Sequence, residues 1–150
     1  MNSLIIYKST EHKNTERIAN QINQVLKGDI MNPEEVNVNE LDKYDLIGFG
    51  SGIFYGKFHK NMVNLIDSFG NFQSKRGFVF STSGQGKADY NNSLKNKLES
   101  KGFDIIGSFA CKGFDTYGPF KIFGGIAKGR PNESDMTAAK KFAAKLLKDK

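Results

Sequence analysis

Leu4-Ile5-Ile6-Tyr7-Lys8-Ser9-Thr10-Glu11-His12-Lys13-Asn14-Thr15-Glu16-Arg17-Ile18-Ala19 contains the transition that decides the fold. Residues 4–7 form a continuous apolar run that turns polar at Lys8, the pattern of a strand buried on both faces of a parallel sheet. From Asn14 the pattern changes. Ile18, Ile22, Val25 and Leu26 share one helical face, with Ala19 beside them and Gly28 as the stop. The polar loop between them runs into a helix N-terminus, whose unpaired N–H groups and positive dipole suit a phosphate. Ser9, Thr10, Asn14 and Thr15 add side-chain donors, and His12 or Lys13 adds positive charge. The same residues also fit a plainer role, with Asn14 or Thr15 as an ordinary N-cap. Neither the Gly-Lys-Ser/Thr ending of a Walker loop nor a Gly-x-Gly-x-x-Gly turn is present.

The alternation continues along the chain. Val36 and Val38 mark a weaker second strand, and Glu40 to Tyr44 is at most a turn of helix. Leu46-Ile47-Gly48-Phe49-Gly50 reads as the third strand, Phe78-Val79-Phe80 as the fourth, and residues 105–110 as the fifth. Helical patterns separate them. Met62, Val63, Leu65, Ile66 and Phe69 lead to Gly70, and Leu94 and Leu98 lead to Gly102. A last helix after Pro131 has Asn132 as its N-cap, with Glu133 and Asp135 in the first turn. Met136, Ala139, Phe142, Ala143, Leu146 and Leu147 form its apolar face. Five strands alternating with helices predict a three-layer, doubly wound α/β domain with a five-stranded parallel sheet. One domain over residues 1–150 is expected, with an irregular loop at about 111–131. Its aromatics, Phe114, Tyr117, Phe120 and Phe123, argue against plain disorder.

Ligands of open α/β sheets bind beyond the carboxyl ends of the strands, at the switch in strand order. Two further loops therefore matter. Residues 50–59, Gly-Ser-Gly-Ile-Phe-Tyr-Gly-Lys-Phe-His, follow the third strand. Their glycines allow a flat ligand close to the backbone, and Phe54, Tyr55 and Phe58 offer stacking faces. Residues 81–87, Ser-Thr-Ser-Gly-Gln-Gly-Lys, follow the fourth strand and could line a planar ring with backbone groups.

Composition narrows the alternatives. No apolar run approaches the roughly 20 residues needed to span a bilayer, and the first residues do not read as a secretory signal. Cys111 is the only cysteine, which excludes an internal disulfide and any multi-thiolate metal site. A lone thiol suits the cytoplasm, and Cys111 is expected to be small, buried and inert. His12 and His59 are the only histidines, with no clustered co-ligands for a metal. The net charge of +6 is uneven: residues 1–111 have 13 basic and 12 acidic side chains, residues 112–150 have 9 and 4. The lysines of the last helix are expected to face water, and Arg130 and Lys128 to be exposed. The basic third also suits an acidic partner; there is no nucleic-acid recognition motif.

Residues 4–19 resemble the FMN-phosphate signature of the flavodoxin family: hydrophobic strand, Ser/Thr-rich loop, then Asn-Thr-Glu into the helix. Residues 44–51, Tyr-Asp-Leu-Ile-Gly-Phe-Gly-Ser, resemble the family's third strand, and Phe54-Tyr55-Gly56 falls in the loop that flanks the flavin. The resemblance implies a flavodoxin-like fold with strand order 2-1-3-4-5. It implies one FMN, with Ser9, Thr10, His12, Asn14, Thr15 and the Lys13 backbone holding the phosphate. Ser51, Gly52, Ile53, Phe54, Tyr55, Gly56 and Lys57 would line the isoalloxazine, with Phe54 or Tyr55 stacking and the Gly56 peptide facing flavin N5. Ser83, Gly84, Gln85 and Gly86 would meet the other ring edge. Lys13 stands where the family has glycine, and it tightens or blocks the loop if positive φ is needed there. The implied role is electron transfer with a redox partner protein. Residues 51–59 are also similar to the Ser-Ile-x-Tyr-Gly-x-x-His loop of menaquinone-dependent protoporphyrinogen oxidases, with Phe54 in place of their arginine. That leaves a quinone-linked flavoenzyme as an alternative, beside a fold relative that has lost FMN.

Overall fold

In the computed structural model the described residues are 1–9, 12–114 and 125–148. Five parallel strands build the central sheet: β1 (Ser3–Lys8), β2 (Asp29–Met31), β3 (Leu46–Phe54), β5 (Lys75–Ser83) and β6 (Phe103–Lys112). Their order is β2-β1-β3-β5-β6, and the two-residue β4 (Lys57–Phe58) pairs antiparallel with the end of β3. With β4 set aside this is the expected 2-1-3-4-5 order.

Strand alternation sends successive side chains to opposite faces. Leu4, Ile6, Phe49 and Val79 point to one face, where Met62 and Ile66 of α2 (Lys60–Asp67) and Leu94 and Leu98 of α3 (Asn92–Ser100) cover them. Ile5, Phe78 and Phe80 point to the other, beneath α1 (Asn14–Leu26) and α4 (Glu133–Lys148). Ile18, Ala19, Ile22, Ala139, Ala143 and Leu146 close that second layer. Phe78 and Phe80 lie over Gly48 and Gly50 of β3, where any Cβ would collide with their rings. Burying each such phenyl group contributes roughly 1.5–3 kcal/mol.

Three expectations need correction. The second strand is not at Val36 and Val38 but at Asp29–Met31, paired Leu4↔Asp29 through Ile6↔Met31. Lys27 caps α1 in the left-handed region, and Gly28 packs so closely on Ser3 that the chain enters the sheet at once. Val36 and Val38 instead pack partly buried on the α2–α3 layer, and Val38 opens a 3-10 helix, Val38–Lys43. Residues 50–59 are not one loop: β3 runs to Phe54 and turns back as a hairpin, Ile53↔Phe58 and Phe54↔Lys57. Nor does the strand-four loop begin at Ser81, since β5 continues to Ser83.

The helix after β1 packs on one face and the helix after β3 on the other. The switch point is therefore between β1 and β3, and their carboxyl ends are where a ligand site forms in such sheets.

Candidate functional site

Sheet register aligns the strand ends that form the site. Lys8 pairs with Ser51, Ser51 with Ser81, and Gly52 with Thr82. The three loops thus leave adjacent strands at nearly the same height.

At the β1 end, Lys13 takes φ 55°, ψ 30°, in the left-handed region, and α1 begins at Asn14 with no side-chain cap on its first turn from Lys13. A non-glycine residue there costs on the order of 1 kcal/mol. Lysine thus takes here a backbone conformation that glycine adopts without strain. The first-turn N–H groups have no carbonyl behind them in the helix. Ser9 Oγ accepts from the Glu16 N–H at 3.2 Å, which puts its hydroxyl at the helix mouth. Neither Asn14 nor Thr15 is the N-cap that the plainer reading expected. Asn14 Nδ2 donates to the Phe114 carbonyl (2.8 Å), its Oδ1 accepts from Arg17 Nη2 (2.9 Å), and Thr15 Oγ1 shares a hydrogen bond with Thr82 Oγ1 (2.9 Å). Thr10 lies outside the described residues, as do Tyr117, Phe120 and Phe123.

At the β3 end, Tyr55 (φ 50°) and Gly56 (φ 76°) are the two central residues of the hairpin turn between Phe54 and Lys57. Positive φ at both is the signature of a type I′ turn, whose twist matches the paired strands. Tyr55 is 73% exposed, and among the described residues the other exposed large hydrophobic is Met1, at 55%. Ile53 and Phe58 are buried beneath the turn and anchor it. Ser51 Oγ accepts from the His59 N–H at 3.1 Å, fixing the base of the hairpin. His59 Nδ1 accepts from the Asn61 N–H (3.1 Å), capping α2. Burial, then the charge of Lys8, holds the His59 imidazole below its ordinary pKa.

At the β5 end, Ser83 and Gly84 are buried and Gln85 is exposed. Ser83 Oγ accepts from the Gly86 N–H (2.7 Å), and Gly86 (φ 64°) packs on the backbone at Lys112. Any side chain at Gly86 would press on that strand.

The structure brings the β1, β3 and β5 loops together through a floor of Thr15, Gly52 and Thr82. A Cβ on Gly52 would lie 3.5 Å from the Phe54 ring and 3.9 Å from Thr15 Oγ1. Several residues at the site escaped sequence reading. Thr82 bonds across to Thr15. Tyr90 approaches Gly56, with its hydroxyl 3.2 Å from Gln85 Oε1. Gly113 and Phe114 dock on the segment between β1 and α1: the Phe114 and His12 rings are 4.4 Å apart, and a Cβ on Gly113 would lie 2.6 Å from Asn14 Nδ2. Lys8 pairs with Glu34 at 2.6 Å, and Glu34 also accepts from Asn61 Nδ2. The Lys8 hydrogen bond draws the Glu34 carboxyl down to about 2. Apart from the local Tyr90–Gln85 hydrogen bond, these contacts join segments far apart in the chain.

Arg130 is not simply exposed as expected. Its Nε and Nη2 each donate to Asp135 at 2.6 Å, and Asp135 also accepts from the Asn132 N–H. Asn132 Oδ1 accepts in turn from the Asp135 N–H, as the expected cap of α4. Cys111 is buried as expected, and burial pushes its thiol up to about 12, far from nucleophilic use. Among the described residues no group of three or more His, Cys, Asp or Glu side chains could hold a metal. No helix among them is long and apolar enough to cross a membrane.

Order of strands, switch point and clustered loops define a doubly wound α/β protein of the flavodoxin type. The flavodoxin-domain family model matches residues 4–113, and the chain belongs to that family. A protein of Methanocaldococcus jannaschii described as uncharacterized is 48% identical over 151 residues, covering 99% of this chain and 100% of its own. Among solved structures, a flavodoxin from the domain Archaea shares 20% identity with a TM-score of 0.73, covering 99% of this chain and 98% of its own. Flavodoxin 2 of Bacillus cereus shares 19% at 0.72, with full coverage of both chains. A Fusobacterium nucleatum flavodoxin bound to flavin mononucleotide shares 14% at 0.71, covering 99% of each chain. These likenesses show the fold.

Proposed function

We propose that the chain binds one FMN and serves as an electron-transfer protein. The observation that carries this reading is the convergence of two unlike ends on adjacent strands. At the β1 end, α1 begins after Lys13 in the left-handed region, with the Ser9 hydroxyl at its mouth, an arrangement that suits a phosphate. One strand over, a glycine-containing hairpin holds Tyr55 out at its tip.

The donor set fits the group. Ser9, the first-turn N–H groups of α1 and the Lys13 backbone would hold the phosphate, with His12, Asn14 and Thr15 shaping the loop. Thr10 belongs to the same proposal on sequence alone. Ser51, Gly52, Ile53, Phe54, Tyr55, Gly56 and Lys57 would line one side of the ring, with Tyr55 the favoured stacking face and the Gly56 peptide placed for N5. Ser83, Gly84, Gln85 and Gly86 would meet the other edge. FMN, when bound, supplies the electron chemistry, and the chain supplies binding, orientation and electrostatics. Commitment of His59 Nδ1 to capping α2 supports a carrier over a protoporphyrinogen oxidase-like enzyme. The partner would be a soluble redox protein met in the cytoplasm.

Spectral titration tests this reading. Binding of FMN in one-to-one ratio supports it, with turnover of quinones only when a partner protein is added. Steady quinone reduction by NAD(P)H without a partner would instead place the chain among the flavoenzymes.

A further inference from the structure

Beyond four of the five parallel strands the described residues include an exposed lysine, whereas the segment after β2 carries Glu34 and Glu35. Lys13 follows β1, Lys57 and Lys60 follow β3, Lys87 follows β5, Lys112 ends β6, and Lys128 precedes α4. Among the described residues none of these six is in an ion pair, whereas Lys8, Lys43 and Lys97 are paired with Glu34, Glu40 and Asp67. Lys75 and Lys101 spend their ammonium groups on backbone carbonyls. At this end Glu16 receives the Tyr7 hydroxyl, Glu34 holds Lys8, and Glu35 receives the Asn32 N–H. Asp89 and Glu133 are the exposed acids without such a partner among the described residues. Lysines at the β1, β5 and β6 ends thus lie to either side of the β3 hairpin that carries the exposed Tyr55 tip.

We infer that this rim, and not the lysine face of α4, is the docking surface for an acidic redox protein. The inference rests on the FMN reading, because it places the partner where a flavin edge would be reached. The two described arginines at this end are engaged, Arg17 with Asn14 and Arg130 with Asp135. The rim therefore presents ammonium point charges, not guanidinium forks made for bidentate phosphate contacts. Point charges to either side of an aromatic tip steer an acidic protein face quickly and release it quickly, as electron transfer requires. The lysines come from separate strand ends interrupted by Glu34 and Glu35, not from one element along which a nucleic-acid backbone would track. FMN, when bound, would accept one electron from a one-electron donor such as a reduced iron–sulfur protein, the donor being oxidised and any proton coming from solvent, while the lysines would hold the partner's acidic face.

The test uses the FMN-loaded protein, with a reduced acidic plant-type [2Fe–2S] ferredoxin as probe. Stopped-flow absorbance follows flavin reduction from about 20 to about 300 mM salt, the span over which screening grows strong. Lys60→Glu, Lys87→Glu and Lys112→Glu together should lower the low-salt second-order rate by about tenfold or more and flatten its salt dependence. Lys140→Glu, Lys141→Glu and Lys145→Glu on α4, an equal change in charge, should alter it less than about twofold. Zero-length carbodiimide coupling, which joins a lysine amine to a carboxylate with loss of water, should link the ferredoxin through Lys60, Lys87 or Lys112. It works on the flavin-free protein too. A larger loss in the α4 variant, crosslinks confined to α4, or a salt-independent rate would overturn the inference. So would loss of binding to a DNA duplex or anionic vesicles in the rim variant with the ferredoxin rate unchanged. Failure to take up FMN would sink the cofactor reading alone, since the crosslinks on flavin-free protein still decide the docking face.

Discussion

Thr15 Oγ1 and Thr82 Oγ1 lie 2.9 Å apart in a buried hydrogen bond that ties the start of α1 to the end of β5. Both threonines are nearly inaccessible to solvent. The bond fixes the start of α1 against the end of β5 beside Gly52. Thr15→Val leaves the Thr82 hydroxyl buried without its partner, at a cost of about 1–3 kcal/mol. The Thr15→Val, Thr82→Val double variant should lose less than the sum of the two singles. Urea unfolding of the three variants measures this; strict additivity would show that the two elements are not coupled there.

Tyr55 separates turn geometry from flavin contact. Asparagine tolerates the left-handed region better than tyrosine does, so Tyr55→Asn should leave stability unchanged or slightly raised. It removes the aromatic face, and FMN affinity should fall about tenfold, the scale of one stacking contact. Thermal unfolding of the FMN-free variant, with an FMN titration beside it, reads both. Unchanged affinity would move the stacking role to Phe54 or Tyr90.

Lys13 contributes through its backbone. Lys13→Gly should raise stability by on the order of 0.5 kcal/mol by relieving the left-handed lysine, and should keep FMN binding within a few fold. Lys13→Val, β-branched at positive φ, should lower both. Equal behaviour of the two variants would show that the observed conformation is unimportant.

Gly113 makes room for Asn14. A methyl group there would press on Asn14 Nδ2, Cγ and Cβ at 2.6, 2.9 and 3.0 Å. Gly113→Ala should break the Asn14–Phe114 hydrogen bond and weaken FMN binding by about tenfold, the scale of one lost polar contact. Isothermal titration of the folded variant checks it.

Asp135 makes stability depend on pH. Its hydrogen bonds to Arg130 hold the folded carboxyl below the ordinary value of 3.8. A depressed folded pKa stabilises the native state above the unfolded value, and that contribution fades as pH falls through the folded one. Asp135→Asn should therefore cost about 1–3 kcal/mol at neutral pH and progressively less below pH 3.8. Parallel denaturation at pH 7 and in acid measures the difference.

Element order was legible because apolar runs and helical faces repeat with clear periods, as at Leu4-Ile5-Ile6 and Ile18, Ile22 and Leu26, whereas the strand order and its switch point came with the family resemblance. Asp29-Ile30-Met31 was not legible, since three residues are too few for any period to emerge, and Val36 and Val38 matched a strand pattern better. The site residues were read as three loops, but their contacts were not. Thr15 with Thr82, Asn14 with Phe114 and Lys8 with Glu34 are separated by 67, 100 and 26 positions, and only the folded sheet brings them together. The hairpin was not legible: residues 50–59 read as one loop because its ladder depends on Ile53 pairing with Phe58 and both being buried.

Titration of the purified, flavin-free protein with FMN, followed by flavin fluorescence and the visible absorbance bands, tests the central claim most directly. One equivalent should bind with a dissociation constant of about 1 μM or tighter, which corresponds to about 8 kcal/mol. The bound spectrum should be structured, and binding should weaken in Tyr55→Asn and Gly113→Ala. No binding at about 100 μM FMN, weaker than roughly 5.5 kcal/mol, would contradict the account.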